Sequence, residues 1–275
     1  MEILFNILNV IKYLIYALLI IAFVIFIFLN VSPVFGASPD KNTKEIIVNS
    51  ENFFEGKFRN IKTTYTNFRT LERKSTLKEW FFPPKDKNPL GPLPTIKFQG
   101  QDLTEGKFVW FGHSTLLMKT EGLVVMTDPV FNRASPLPSF SSKSKSSFFN
   151  GKPFVFENPI LIEDLPKVNV VIISHDHYDH LDSKAIKDLS NLVDHFIVPL
   201  GVGAHLERWG VDKNKITELD WYESKSYKDV EFIFAPALHF SGRGITNGNS
   251  TLWGSWIVKS KSLSAYFSGD GGYSE

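Results

Sequence analysis

The sequence predicts an α/β domain carried behind an apolar N-terminal helix, and three observations lead there. A charge-free run, Tyr13 to Leu29, stands apart from an otherwise mixed chain of 275 residues. From about Gly106 onward, short apolar runs alternate with turn residues and then with segments of helical spacing. One continuous apolar run, Val168 to Ser174, is bounded by polar residues, the mark of a strand buried on both faces. Composition narrows the function classes. With 43% hydrophobic and 14% aromatic residues the chain builds a sizeable core and is not disordered. A balance of 30 Lys+Arg against 29 Asp+Glu leaves no broad field for polyanions, so nucleic acid is not expected as a partner. Cysteine is absent, which excludes disulfides and thiolate metal sites; any metal must be held by His and carboxylate.

Residues 1–30 are expected to be a single-pass membrane anchor. Ile3 to Ile11 is largely apolar, Lys12 is the region's only basic residue, and the whole is long enough to cross a hydrocarbon core of about 30 Å. The alternatives are a signal sequence cleaved near Val34-Phe35-Gly36-Ala37, or a buried core helix. Lys12 precedes the apolar run, while Asp40, Lys41, Lys44 and Glu45 nearly cancel after it, so the N-terminus is expected in the cytoplasm and the rest of the chain outside it. Residues 31–100 read as a connector and irregular covering segment, polar over 31–60 and rich in Pro and aromatics over 61–100.

Residues 101–275 hold the predicted domain. Its first strands are the runs KFVWF, TLLMK and LVVMT, adjacent and antiparallel, followed by the buried strand at Val168. Helical spacing covers Ser183 to Val193 with Asp182 as N-cap, and Val202 to Trp209 closed by Gly210. Further strands are expected at His195 to Pro199, Glu231 to Pro236, Trp253 to Lys259 and Ser264 to Ser268. Ser141 to Ser147 is a small biased loop; its Lys143 and Lys145 are read as solvated, with contact to anionic headgroups as the alternative.

Chemistry concentrates directly after the buried strand, in His175-Asp176-His177-Tyr178-Asp179-His180. In extended backbone alternate side chains point the same way, so His175 and His177 can clasp one ion while Asp179 and His180 turn toward a second. Neutral imidazole and carboxylate suit zinc, iron or manganese.

This block resembles the metal-binding signature of the metallo-β-lactamase superfamily. The flanking motifs resemble one branch of it, the N-acylphosphatidylethanolamine-hydrolysing phospholipase D family. They are Trp110-Phe111-Gly112-His113-Ser114-Thr115, Thr127-Asp128-Pro129-Val130-Phe131 and Arg133-Ala134-Ser135-Pro136 before the block. After it come Ala237-Leu238-His239-Phe240-Ser241-Gly242-Arg243-Gly244, Asn249-Ser250-Thr251-Leu252-Trp253-Gly254-Ser255-Trp256 and Ser268-Gly269-Asp270-Gly271-Gly272-Tyr273. The resemblance runs from about residue 53 to the end. It implies a four-layer αββα sandwich and two zinc ions, with iron or manganese as substitutes. His175, His177 and His239 would hold the first ion, Asp179 and His180 the second, and Asp270 would bridge them. It also implies cleavage of an N-acylated ethanolamine phospholipid to an N-acylethanolamine and phosphatidic acid, with Asp179 and Asp270 orienting the attacking hydroxide. A membrane segment suits a lipid substrate.

The family pattern needs one more histidine well beyond the Gly-Asp-x-Gly turn, whereas this chain stops at Glu275. The expectation is therefore a fragment of a longer protein, incomplete at its C-terminus. The alternatives are another esterase, lactonase or phosphodiesterase on the same site, or an inactive membrane-anchored remnant. His113 and Arg243 are candidate substrate contacts, Arg243 for a phosphate, each with a structural role as the alternative. Asp128 is expected to hydrogen-bond a ligand histidine or to cap a turn. His195 and His205 are expected to be structural. Phe53, Phe54, Phe58, Trp80, Phe81 and Phe82 are expected mostly to pack, or else to line an acyl-chain path.

Overall fold

A computed structural model describes residues 2–62, 89–136 and 153–273; Trp80, Phe81, Phe82, Lys143 and Lys145 lie outside these. Two compact units divide at Phe35. The first is dominated by α1, Glu2–Val31, apolar on every face. Its stretch Phe5–Val31 has 27 residues; at 1.5 Å per residue it extends about 40 Å, long and apolar enough to cross a bilayer core of about 30 Å.

The second unit, Gly36–Glu275, holds two main sheets. The larger one consists of β3 (Phe108–Trp110), β4 (Leu116–Thr120), β5 (Leu123–Thr127), β6 (Val168–Ile172), β7 (Val193–Pro199) and β8 (Ile216–Leu219), in that spatial order. The pairs β3–β4 and β4–β5 are antiparallel, as expected, and β5 through β8 run parallel. The smaller sheet pairs β9 (Ser224–Tyr227), β10 (Val230–Ala235), β11 (Ser255–Lys259) and β12 (Ser264–Phe267) antiparallel.

Two apolar clusters follow from the two-residue period of a strand. Val170 and Ile172 face the second sheet and meet Phe232, Phe234 and Trp256, whereas Val171 and Ile173 face the helices and meet Ile186, Leu189 and Leu206. A strand covered on both sides reads as a continuous apolar run, which is why β6 was legible. The helices are α3, Ser183–Leu189, and α4, Gly203–Arg208. Asp182 caps α3, accepting from the amides of Lys184 and Ala185 at 2.9 and 3.2 Å. Helix α3 stops short of the expected Val193 because that residue pairs with Val168 in the sheet. Among the described residues these elements form three layers, α/β/β, of the expected αββα sandwich.

The segment expected as a polar connector carries structure. After α1 comes α2, Lys41–Asn49, capped by Asp40 and buried only at Ile47, then a hairpin of β1 (Phe53–Phe54) and β2 (Lys57–Phe58). Phe58 is fully buried and meets the Phe53 ring edge-on at 5.0 Å, so these two aromatics pack. Phe54 is exposed.

The topology gathers the chemistry at one edge. Parallel β5 and β6 end together, bringing Asp128 beside Ser174, and β10 and β12, both antiparallel to β11, end on one side with His239 and Asp270 beyond them. The amide of Gly254 donates to Ser174 O at 3.0 Å and Trp256 Nε1 to Ile173 O at 2.8 Å, fastening the second sheet beside the His-rich loop.

Candidate metal centre

His175, His177 and His239 converge. His175 Nε2 lies 2.9 Å from His177 Nδ1, and His239 Nε2 lies 3.1 and 3.3 Å from those same atoms. A point about 1.8 Å from all three nitrogens exists in their plane, so one ion at the roughly 2.0–2.1 Å of a zinc–imidazole bond reaches them all. Burial first, then neighbouring histidines (His180 foremost for His175, His177 for His239), lowers the proton affinity of His175 and takes His239 down to about 4; burial likewise lowers His177. All three are neutral at physiological pH, the state in which imidazole binds a metal.

Beyond His177 the chain turns, the amides of His180 and Leu181 donating to His177 O at 3.1 and 2.8 Å. This swings Asp179 and His180 to a second cluster. His113 Nε2 lies 3.3 Å from Asp179 Oδ2, and the donor atoms of His113, Asp179 and His180 fall within 4.8 Å of one another. His175, His180 and Asp270 form a further group of the same span, which places Asp270 between the two clusters. His180 is buried; its Nε2 makes no hydrogen bond, although Asp270 Oδ1 stands 3.2 Å away without the alignment of one. A buried, unbonded nitrogen beside the Asp270 carboxylate is what a cation would satisfy. Without one, burial opposes the charge on His180, but Asp128 and Asp270 outweigh it and push its pKa up to about 10. Asp179 is held near 2, the donation from His113 and the charge of His180 overcoming its burial.

A second set of residues holds these groups. Asp128, fully buried, accepts from Ser174 N at 2.7 Å, Ser174 Oγ at 2.6 Å and His180 Nδ1 at 2.7 Å. The expected hydrogen bond from a candidate ligand histidine to Asp128 is thus present, at His180. Asp176, inside the His-rich block but turned away from the clusters, accepts from Gly242 N at 2.6 Å and Thr251 Oγ1 at 2.9 Å. The structure corrects Arg243: only 3% exposed, it does not face a substrate. Its Nη1 donates to the carbonyls of Asp176 and Leu181, each at 2.7 Å, and its guanidinium lies over Tyr178 at 4.2 Å and Trp209 at 5.0 Å. It locks the backbone of the His-rich loop. His113, half-exposed, sits in the second cluster. His195 meets Thr217 Oγ1 at 2.8 Å, and His205 accepts from Ala37 N at 2.9 Å; both are away from the clusters. Sequence reasoning missed Asn60, Ser114 and Ser174, common polar residues without distinctive spacing. Ser114 Oγ lies 3.1 Å from His180 Nδ1.

A two-sheet sandwich with imidazoles and carboxylates gathered at its strand ends defines a metallo-hydrolase type of fold and site. Residues 124–275 match the family described as beta-lactamase superfamily domain, and the chain belongs to the metallo-β-lactamase superfamily. It is similar to an uncharacterised protein of Mycobacterium tuberculosis, 41% identical over 68% of this chain and 48% of the relative. It is also similar to N-acyl-phosphatidylethanolamine-hydrolyzing phospholipase D 1 of Caenorhabditis elegans, 34% identical over 69% of this chain and 54% of that protein. A mitochondrial enzyme of the same name from Saccharomyces cerevisiae is 29% identical over 60% of this chain and 34% of its own length. The chain thus spans about half the length of the first two. Among solved structures, a metallo hydrolase of Ignicoccus hospitalis aligns with a TM-score of 0.41 and 17% identity over 60% of this chain and 61% of that one.

Proposed function

We propose that this protein is a zinc-dependent phosphodiester hydrolase that cleaves N-acylphosphatidylethanolamine to an N-acylethanolamine and phosphatidic acid. The observation that carries the metal chemistry is the triangle of neutral imidazole nitrogens at His175, His177 and His239. The substrate rests on the nematode and yeast relatives, whose names give that reaction. His175, His177 and His239 would hold one zinc ion, Asp179 and His180 a second, and Asp270 both. When bound, the ions lower the pKa of water toward neutrality and offset charge on phosphoryl oxygens.

The remaining work falls to the chain. Asp179 and Asp270 are ionised at neutral pH and part-exposed, so each can orient a water and accept its proton at a carboxylate oxygen. Phe240, edge-on to the His177 ring and tilted against the His239 ring, each at 4.7 Å, keeps the first cluster's rim apolar. Helix α1 would anchor the protein in a membrane, with the catalytic unit on the extracytoplasmic side, where tethering raises the local concentration of a lipid substrate. The zinc-loaded protein, incubated with vesicles containing N-acylphosphatidylethanolamine, should release N-acylethanolamine detectable by mass spectrometry. No release with zinc bound would reject this substrate.

A further inference from the structure

We infer that Asn60 is a positioning residue for the first metal cluster, acting through His239. Its Nδ2 donates to His239 O at 2.9 Å while its Oδ1 accepts from His239 N at 3.2 Å. The side-chain amide thus imitates one rung of an antiparallel ladder. That rung matters because β10 ends at Ala235 and the sheet no longer holds the backbone at His239. The preceding residue is held separately, Gly272 N donating to Leu238 O at 2.9 Å. Trp253 Nε1 donates to Asn60 Oδ1 at 3.2 Å and to Ala237 O at 2.9 Å, fixing the amide's orientation.

Asn60 reaches this place from a segment outside residues 124–275 that match the family. Phe58, two residues before it, is buried and its amide donates to Asn249 O at 2.9 Å. Farther back, Ser50 Oγ and Asn52 Nδ2 donate to Asp220 at 2.6 and 2.9 Å. The segment is therefore docked at separate points, and Asn60 is the point at which it bonds to a candidate ligand. The chemistry requires a donor and an acceptor on one short planar group, which only Asn offers at this reach. Asp would set an oxygen against the His239 carbonyl, and Ala would leave both backbone groups without these bonds.

The inference rests on reading His239 as a metal ligand, and the test separates the two. The full chain is titrated with zinc against a competing chelator and, in parallel, with cobalt(II), whose visible absorption reports ligand geometry. Asn60→Ala and Asn60→Asp are expected to weaken first-site affinity about 10–100-fold and to change the cobalt spectrum. Asn52→Ala, which loosens the same segment at Asp220, should leave affinity within about twofold of the parent, the margin below which that 10–100-fold loss is distinct. Asn60→Asp keeps the size and the acceptor, so it serves if the alanine variant does not fold. Unchanged affinity and spectrum in the Asn60 variants, or an equal loss in Asn52→Ala, overturns the inference. A parent protein that binds no zinc or cobalt overturns the metal reading itself.

Discussion

Replacing Asp128 with Asn should separate the fold from the second metal cluster. A carboxylate only accepts, so the His180 proton on that side must sit at Nδ1, leaving Nε2 to face Asp270 and any cation. In Asp128→Asn, Oδ1 still serves the Ser174 amide, while the new NH₂ faces Ser174 Oγ and His180 Nδ1. Ser174 can turn its hydroxyl to accept. His180 can accept at Nδ1 only by carrying its proton on Nε2, where the ligand lone pair is needed. The stability loss is the difference between charged and neutral hydrogen bonds, about 1–1.5 kcal/mol for each of the two bonds on that oxygen. A metal-free protein losing about 2–3 kcal/mol in urea denaturation still folds in most domains. Second-site zinc affinity should fall about 10–100-fold, or roughly 1.4–2.8 kcal/mol, by equilibrium dialysis with elemental analysis, while the first site keeps its affinity. Two ions retained at parental affinity would refute the tautomer argument.

Three further outcomes are expected. Because His175, His177 and His239 titrate below the ordinary histidine range, His239 near 4, the unfolded chain binds more protons between about pH 4 and 6.5; metal-free stability falls as pH drops through that window. His180, at about 10, does the reverse, its contribution being lost as pH rises from about 6.5 to 10, so melting temperature should peak near pH 6.5 and a steady rise to pH 9 would contradict the shifts. Arg243→Ala strips a buried cation from Asp176 and the loop carbonyls and should cost about 3–5 kcal/mol in denaturant unfolding; a loss under about 1 kcal/mol would return Arg243 to a peripheral role. Gly269→Ala places a side chain at φ 53° with its Cβ 2.7 Å from that of Ser174, which should cost at least about 1–2 kcal/mol and shift Asp270 enough to lower zinc stoichiometry.

What the sequence reveals here depends on whether one local pattern suffices to specify an arrangement. The His175–His180 block is legible because its candidate ligands are contiguous and follow a strand whose burial on both faces makes it uniformly apolar. The strands β8 (ITEL) and β9 (SKSY) escape notice because they are short, flank the sheets' edges and carry too little alternation to show a period. Helix α2 is hidden for a related reason, since Ile47 alone is buried and the Asp40 cap supplies much of its definition. Arg243 shows a different limit. A guanidinium fits a phosphate and a pair of backbone carbonyls alike, and only burial between Tyr178 and Trp209 tells the two apart.

His113 carries that reasoning one step further. Its backbone lies at φ 46° and that of Asp128 at φ 35°, a region that costs a side-chain-bearing residue about 1–2 kcal/mol. The two flank His180, one by an edge-on ring at 5.0 Å and the other by a hydrogen bond of 2.7 Å. Each conformation is over-determined by its surroundings. Trp110 Nε1 donates to His113 O at 2.8 Å, Thr115 N to Gly112 O at 3.0 Å, and Thr115 Oγ1 to Asp128 O at 2.8 Å, tying both turns to each other. Strain of this kind persists where a fold has reason to hold a side chain in one place. Here both strained residues grip the ring whose Nε2 has no hydrogen-bond partner, so the backbone locates the second cluster independently of the histidine spacing.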